Sequence, residues 1–376
     1  MQLTLFKNEK CDVTKNPLFF GGCRNTQRFD KNRYNQLSKM ALDMQRLFWV
    51  PEEIKLAKDK LDFELASEPE KHIFTTQLSK LVMLDSLQGR SPLMIFGQLT
   101  NNPEFEGALL EQEYFEGRIH SRSYSYMIEE MFPNNKDDIF DKIWDIPEMR
   151  KEIDTITRDF NELYNLTIDY LYKKQNNIKI DDDYKTNLKE KIFLALVSMN
   201  ILEGIRFYVG FACIWAISEF HQKFYGSSRI LQLIARDENQ HLRFTQYLIK
   251  ILKRDDEFKD IWNKITPKIY DMYFEATEEE IAWGDVLLSK GNILGINKEI
   301  ISQYMKFLAN IRLRAIGLKP IYPEAKENPL KWLKNWVDLS IVEKALQESE
   351  EVDYMQNPIE GEINKTKIQN LMKFLN

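Results

Sequence analysis

Apolar residues recur every three to four positions along most of the chain, which is the period of an amphipathic α-helix. After an irregular stretch over residues 1–35, the pattern predicts a helix that Pro51 ends, a second from about 69 to 89, and a third from about 103 to just before Pro133. A very long helix is predicted over about 184–224. It is apolar on nearly all sides from 192 to 217, which is typical of the centre of a helical bundle.

The second half of the chain continues the helical pattern. Gly226, Ser227 and Ser228 predict a break, with Ser228 as the N-cap of a helix that runs through His241. Further helices are predicted at about 258–290 and 297–316. The fold class is therefore predicted to be all-α, with one helical bundle domain over residues 1–346.

The apolar pattern dissolves into charged and polar residues from about 347 to 376. Such a segment cannot bury enough apolar area to offset the entropy lost on ordering, so we predict a flexible C-terminal tail. Its end, over 368–375, regains apolar character. This favours a docking peptide that folds on a partner, with a frayed terminal helix as the alternative.

Composition narrows the possible functions. The 376 residues are 43% hydrophobic with 14 Gly and 12 Pro, and the formal charge of −6 is dispersed, so nothing predicts a nucleic-acid partner. Three cysteines, Cys11, Cys23 and Cys213, are too few for a disulfide framework or a thiolate metal site and suit a reducing cytoplasm. The most apolar stretch, 207–218, is too short to span a membrane, and the N-terminus lacks a signal-peptide pattern.

Candidate chemistry lies on faces that the helices would bury. A lone buried carboxylate is costly unless it is paired or coordinates a metal. Singly, each candidate has an ordinary explanation: a solvated helix end, an ion pair of Glu203 with Arg206, or a hydrogen-bonded core histidine. Four helices carry these residues, which are Asp85, Glu116, His120, Glu203, Glu238 and His241.

Their combination favours a metal site. Glu238 and His241 share a helix face because residues i and i+3 are neighbours. Dinuclear carboxylate proteins of the ferritin-like type take one carboxylate from each of two helices and a Glu-x-x-His pair from each of two others. Asp85 and Glu203 supply the single carboxylates, and His120 and His241 are two of only four histidines. Carboxylate and imidazole ligands suit iron or manganese better than copper or structural zinc.

One position departs from this pattern. The residue three before His120 is Gly117, which has no side chain, whereas Glu116 stands four residues before it. In one interpretation an inserted residue is absorbed by a π-bulge and Glu116 still binds metal, since i+4 lies only about 40° from i around a helix. In the other, Glu116 points elsewhere and the site holds fewer metal ions.

Four segments resemble the signature segments of class I ribonucleotide reductase small subunits: 85–92, 120–124, 202–209 and 234–238. This resemblance implies a ferritin-like bundle with a dinuclear iron site, or a manganese–iron site. It also implies a homodimer that uses dioxygen and an electron donor to form a tyrosyl radical. The radical would pass to a large catalytic subunit that reduces ribonucleotides.

The resemblance also implies roles for individual residues. Tyr124, four residues after His120, would carry the radical, although a hydrogen-bonded core tyrosine is the ordinary alternative. Trp49 and Asp237 would relay the radical toward the surface, and Tyr354 would hand it to the large subunit. The apolar pocket that shields the radical would comprise Phe207, Phe211 and Ile234.

Two other functions stay open at the level of sequence. One is a stand-alone di-metal oxidase or hydroxylase on the same scaffold, for which Tyr354 and the tail would be irrelevant. The other is a metal-poor partner that regulates a reductase without forming a radical, and Gly117 is its only support.

Overall fold

The computed structural model describes residues 4–337 and contains no β-strand within that range. The α-helices are α1 (Asn35–Arg46), α2 (Ala57–Glu64), α3 (Glu68–Gln88), α4 (Ser91–Phe96), α5 (Pro103–Tyr114), α6 (Ser121–Met131), α7 (Lys136–Asp141), α8 (Pro147–Gln175), α9 (Asp182–Ile201), α10 (Tyr208–His221), α11 (Tyr225–Leu252), α12 (Lys259–Leu287), α13 (Lys298–Ala315) and α14 (Lys334–Val337). Two π-helical segments, π1 (Phe115–His120) and π2 (Leu202–Arg206), join α5 to α6 and α9 to α10. The all-α prediction is confirmed.

Local sequence signals set several of these helix ends. Ser67 and Glu70 form a capping box at the start of α3, with Pro69 in its first turn. The side chains of Asn102, Asp181 and Asn297 accept backbone N–H groups at the starts of α5, α9 and α13. These caps satisfy donors that a helix start leaves unpaired, which is why the predicted boundaries of these helices lie close to the observed ones.

The predicted long helix forms the centre of the bundle as α9, π2 and α10. Every residue from 192 to 218 is buried. Within residues 4–337, Asp182–His221 is the one stretch long and apolar enough to cross a membrane by length and composition, and its most apolar window lies wholly inside the bundle. Burial against neighbouring helices therefore accounts for its apolar character.

The predicted break at 226–228 is wrong. The chain instead turns at 222–224, where Gln222 and Phe224 adopt left-handed backbone conformations, and α11 begins at Tyr225. The carboxylate of Asp59 in α2 accepts the backbone N–H groups of Gly226 and Ser227 at 3.1 and 2.6 Å. A cap supplied from a distant part of the sequence thus lets small polar residues occupy the first turn of the helix.

The expectation for the cysteines also needs correction, because Cys11 and Cys23 form a disulfide while Cys213 is a buried free thiol among the described residues. Asn16 lies in the loop between the two cysteines and hydrogen-bonds to its end. The Asn16 side chain donates to the Cys23 carbonyl at 3.0 Å and accepts the Cys23 N–H at 3.2 Å. This local loop brings together two cysteines that are 12 positions apart, a proximity that cysteine counting does not predict.

Candidate metal centre

Four elements in the middle of the bundle bring the six predicted ligands together. Every one of the six side chains is fully buried, so the alternative of a solvated Asp85 at a helix end is wrong. Asp85 comes from α3, Glu116 and His120 from π1, Glu203 from π2, and Glu238 and His241 from α11.

The extra residue before His120 is absorbed in π1, as the π-bulge interpretation predicts. The backbone N–H of Ser121 bonds to the carbonyl of Glu116 five residues earlier, which is the π-helical pattern. Gly117 lies against Gly89 at the end of α3, so closely that a Cβ on Gly89 would fall 2.8 Å from the backbone of Gly117. The wider turn keeps Glu116 and His120 on one face of the segment.

The ligand atoms form two overlapping groups. Asp85, Glu116, His120 and Glu238 make one group, and Glu116, Glu238, Glu203 and His241 make the other, with the atoms of each group within 4.8 Å of one another. Glu116 and Glu238 belong to both groups. This arrangement provides two adjacent metal positions that share two carboxylates.

The oxygens of the two shared glutamates are divided between the histidines. His120 Nδ1 lies 3.3 Å from Glu116 Oε2 and 3.1 Å from Glu238 Oε1. His241 Nδ1 lies 2.8 Å from Glu116 Oε1 and 3.1 Å from Glu238 Oε2. Each glutamate therefore presents one oxygen to each half of the site.

The donor set fits a pair of divalent cations. Asp85, Glu116, Glu203 and Glu238 place four carboxylates where water is excluded. Among residues 4–337, neither Asp85 oxygen nor Oε2 of Glu203 has a hydrogen-bond partner. Buried carboxylates of this kind are stable when they coordinate metal, and two divalent cations would balance four carboxylate charges. Oxygen and imidazole ligands suit iron or manganese.

Charge crowding perturbs the protonation of the metal-free site. Burial, and then the charges of Glu116 and Glu238, raise the pKa of Asp85 well above its usual value, and burial similarly raises the pKa of Glu203. Burial alone would lower the pKa of His241, but the carboxylates of Glu116 and Glu238 outweigh it and raise that pKa to about 9. Without metal, protons therefore occupy part of the site.

A hydrogen-bonded chain leads outward from His120. Its Nε2 lies 3.2 Å from Oδ2 of Asp237, and the same oxygen accepts the indole N–H of Trp49 at 2.7 Å. Arg236 binds the other oxygen of Asp237 at 2.9 Å and donates to the Leu47 carbonyl at 2.6 Å. Burial raises the pKa of Asp237, but the charges of Arg236 and His120 outweigh it and lower that pKa, which keeps the carboxylate ionised.

The predicted radical residue, Tyr124, is completely buried in α6. Burial, with the charges of Asp85 and Glu238, raises its pKa well above the usual value, so the phenol is neutral in the metal-free protein. The predicted pocket residues Phe207, Phe211 and Ile234 are also fully buried, and the rings of Phe207 and Phe211 stack with centroids 5.7 Å apart.

The surroundings of Glu203 differ from the sequence expectation. Arg206 does not pair with Glu203; it contacts Glu152 at 3.3 Å and Glu279 at 2.8 Å. Gln88 and Gln112, which donate to Glu203, were missed because a neutral amide in a helix gives no pattern to detect.

Tyr354 and the tail at 347–376 lie outside the described residues.

The fold and the site together define a dinuclear carboxylate protein with a ferritin-like helical bundle. Residues 28–329 match the family model described as ribonucleotide reductase, small chain. Ribonucleoside-diphosphate reductase subunit beta of Buchnera aphidicola subsp. Schizaphis graminum is 36% identical over 377 residues, covering 98% of this chain and 99% of that protein. Subunit beta of ribonucleoside-diphosphate reductase 1 from Escherichia coli O157:H7 is 34% identical with the same coverage.

Solved structures agree. The ribonucleotide reductase R2 subunit from Clostridium botulinum matches with a TM-score of 0.76 and 29% identity, covering 90% of this chain and 98% of that one. The chain belongs to the family of class I ribonucleotide reductase small subunits. The predicted family and enzyme class are confirmed, and the family together with the buried carboxylate–histidine cluster supports a dinuclear metal site. Membership implies a dimer that works with a large subunit.

Proposed function

We propose that two metal ions would be held by Asp85 and His120 on one side and by Glu203 and His241 on the other, with Glu116 and Glu238 shared by both positions. The observation that supports this most is the division of each bridging glutamate's oxygens between the two histidines. We propose iron at both positions. A manganese–iron pair is the alternative, because the two metal pairs accept the same ligands. The bound pair supplies one-electron oxidation through dioxygen, chemistry that no side chain here supplies, with an external electron donor.

Tyr124 is the proposed radical residue. Its oxidation removes one electron and the phenolic proton, so a proton acceptor is needed. Asp85 fits this part, because its carboxylate is the charged group with the largest influence on the pKa of Tyr124. Complete burial in an apolar core excludes water and reductants, and we assign Phe207, Phe211 and Ile234 to that shield.

The proposed exit route uses the chain from His120 through Asp237 to Trp49. The ionised Asp237 accepts the indole N–H at 2.7 Å, and this contact offers the proton of Trp49 an acceptor when the indole is oxidised. Tyr354 and the tail at 347–376 complete the proposed route to the large subunit, in the cytoplasm.

Electron paramagnetic resonance tests the assignment of Tyr124. Protein supplied with Fe(II) and dioxygen should develop a tyrosyl-radical signal that Tyr124→Phe abolishes. Tyr126→Phe is the matched control: it removes a hydroxyl two residues along the same helix, where Tyr126 donates to the Ile54 carbonyl at 2.9 Å, and should keep the signal. An undiminished signal in Tyr124→Phe would place the radical on another residue.

A further inference from the structure

Glu203 differs from the other carboxylates of the cluster in its surroundings. One of its oxygens, Oε1, accepts hydrogen bonds from the side-chain amides of both Gln88 and Gln112, each at 2.6 Å. All three side chains are fully buried. By contrast, neither oxygen of Asp85 accepts a hydrogen bond from a side-chain amide within residues 4–337. The two terminal carboxylates are therefore held very differently.

Each amide stands one helical turn from another ligand. Gln88 ends α3 and lies three residues after Asp85, and Gln112 lies on α5 four residues before Glu116. Residues at these spacings share a helix face. The two hydrogen bonds therefore connect α3 and α5 to π2, the segment that carries Glu203.

The amide nitrogens face Glu203, so both glutamine side chains donate to Oε1. Two donors occupy the two lone pairs of Oε1. Oε2 is left without a hydrogen-bond partner among the described residues and lies 3.9 Å from Nδ1 of His241. Oε2 is therefore the oxygen of Glu203 that faces His241, a member of the second group of ligand atoms.

We propose that Gln88 and Gln112 form an amide clamp that holds Glu203 to metal coordination through Oε2 alone. This inference rests on the proposed metal site. Neutral amides can do this without cancelling the carboxylate charge that the metal ion needs, whereas a lysine or arginine would form an ion pair in its place. Asp85 has no such clamp, so it can bind through one oxygen or both.

The clamp makes Gln88 and Gln112 positioning residues, and Mn(II) binding tests them. In the wild type we expect two Mn(II) per chain, a spin-coupled resonance signal, and a Mn(II)-bound crystal structure in which Glu203 binds through one oxygen. The double variant Gln88→Met, Gln112→Met keeps side-chain length but has no donors. It should bind one of the two ions about tenfold more weakly, with a mononuclear Mn(II) signal appearing at the same free Mn(II).

Gln77→Met is the matched control. Gln77 is equally buried on α3, but its amide oxygen accepts the indole N–H of Trp283 at 2.7 Å, away from Glu203. If the buried glutamines had only a structural role, Gln77→Met would lose stability as the double variant does. The clamp predicts in addition that the Mn(II) spectrum of Gln77→Met stays that of the wild type.

Two results would overturn the clamp while leaving the dinuclear site intact. One is wild-type Mn(II) affinity and spin coupling in the folded double variant. The other is a wild-type structure in which Glu203 binds metal through both oxygens, and this second test needs no variant. A wild type that binds neither Mn(II) nor Fe(II) would overturn the proposed function and the clamp together.

Discussion

Glu116 stands four residues before His120, whereas Glu238 stands three residues before its partner His241. Both glutamates nevertheless reach both histidines with one oxygen each. The different spacings give the same contacts because the first pair lies on a π-helical turn and the second on an α-helix. Local backbone geometry thus compensates for the inserted residue.

Metal binding should release protons. Metal ions bind neutral imidazole and ionised carboxylate, whereas in the metal-free protein the pKa of His241 is raised to about 9 and those of Asp85 and Glu203 are raised by burial. Affinity for Mn(II) should therefore increase from about pH 6 to about pH 9, as the competing protons leave. Calorimetry in buffers of different ionisation enthalpy measures the release. Affinity that does not change with pH, without proton release, would contradict these protonation states.

The sequence could predict the six clustered residues because carboxylates and histidines on buried helix faces are uncommon and their spacing is informative. The sequence could not predict the part of Gln88 and Gln112, since glutamines on helices are common. Their hydrogen bonds go to Glu203, which is distant in the sequence. The disulfide between Cys11 and Cys23 depended in the same way on a loop whose path the sequence does not show.

At the scale of elements, the contact between α3 and π1 is unusually close. Gly89 and Gly117 meet backbone to backbone, with the Cβ position of Gly117 3.2 Å from the Gly89 carbonyl oxygen. Because α3 carries Asp85 and π1 carries Glu116 and His120, this contact sets the separation between three ligands.

Alanine substitution should therefore have opposite effects at two glycines. Gly89→Ala would place a methyl group 2.8 Å from backbone atoms of Gly117 and should destabilise the metal-free protein by about 1–3 kcal/mol. The added methyl group of Gly107→Ala, inside α5, would meet no described atom within 4 Å other than its chain neighbours and its own helix backbone, so this variant should be more stable by about 0.5–1 kcal/mol. Urea denaturation compares them. Equal midpoints for the two variants would show that the close contact is not a constraint.

Most elements that position the site followed from the sequence, and the exceptions have physical causes. The caps at Ser67 and Asn102 mark helix starts locally. The turn at 222–224 was missed because Asp59 caps α11 from another helix, and π2 was missed because an uninterrupted apolar run hides a change of helical pitch. The 29-residue α8 was not predicted, although Pro147 begins it and its buried residues recur at helical spacing.

At the scale of the whole molecule, a second buried cluster of charges connects the helices around the metal centre. Lys80 on α3 contacts Glu152 on α8 and Glu280 on α12, and its ammonium lies 4.7 Å from the ring centre of Trp283. Arg206 on π2 contacts the same Glu152. The cluster therefore joins the elements that carry Asp85 and Glu203 to two outer helices, and its partners are too far apart in sequence to have been predicted.

The proposed arrangement is two metal ions that share the carboxylates of Glu116 and Glu238 in the middle of the bundle. A crystal structure of the metal-loaded protein, with anomalous scattering recorded at the iron or manganese edge, tests it most directly. We expect two anomalous peaks, each next to one oxygen of Glu116 and one oxygen of Glu238. A single peak, or a Glu116 side chain turned away from both metal positions, would contradict it.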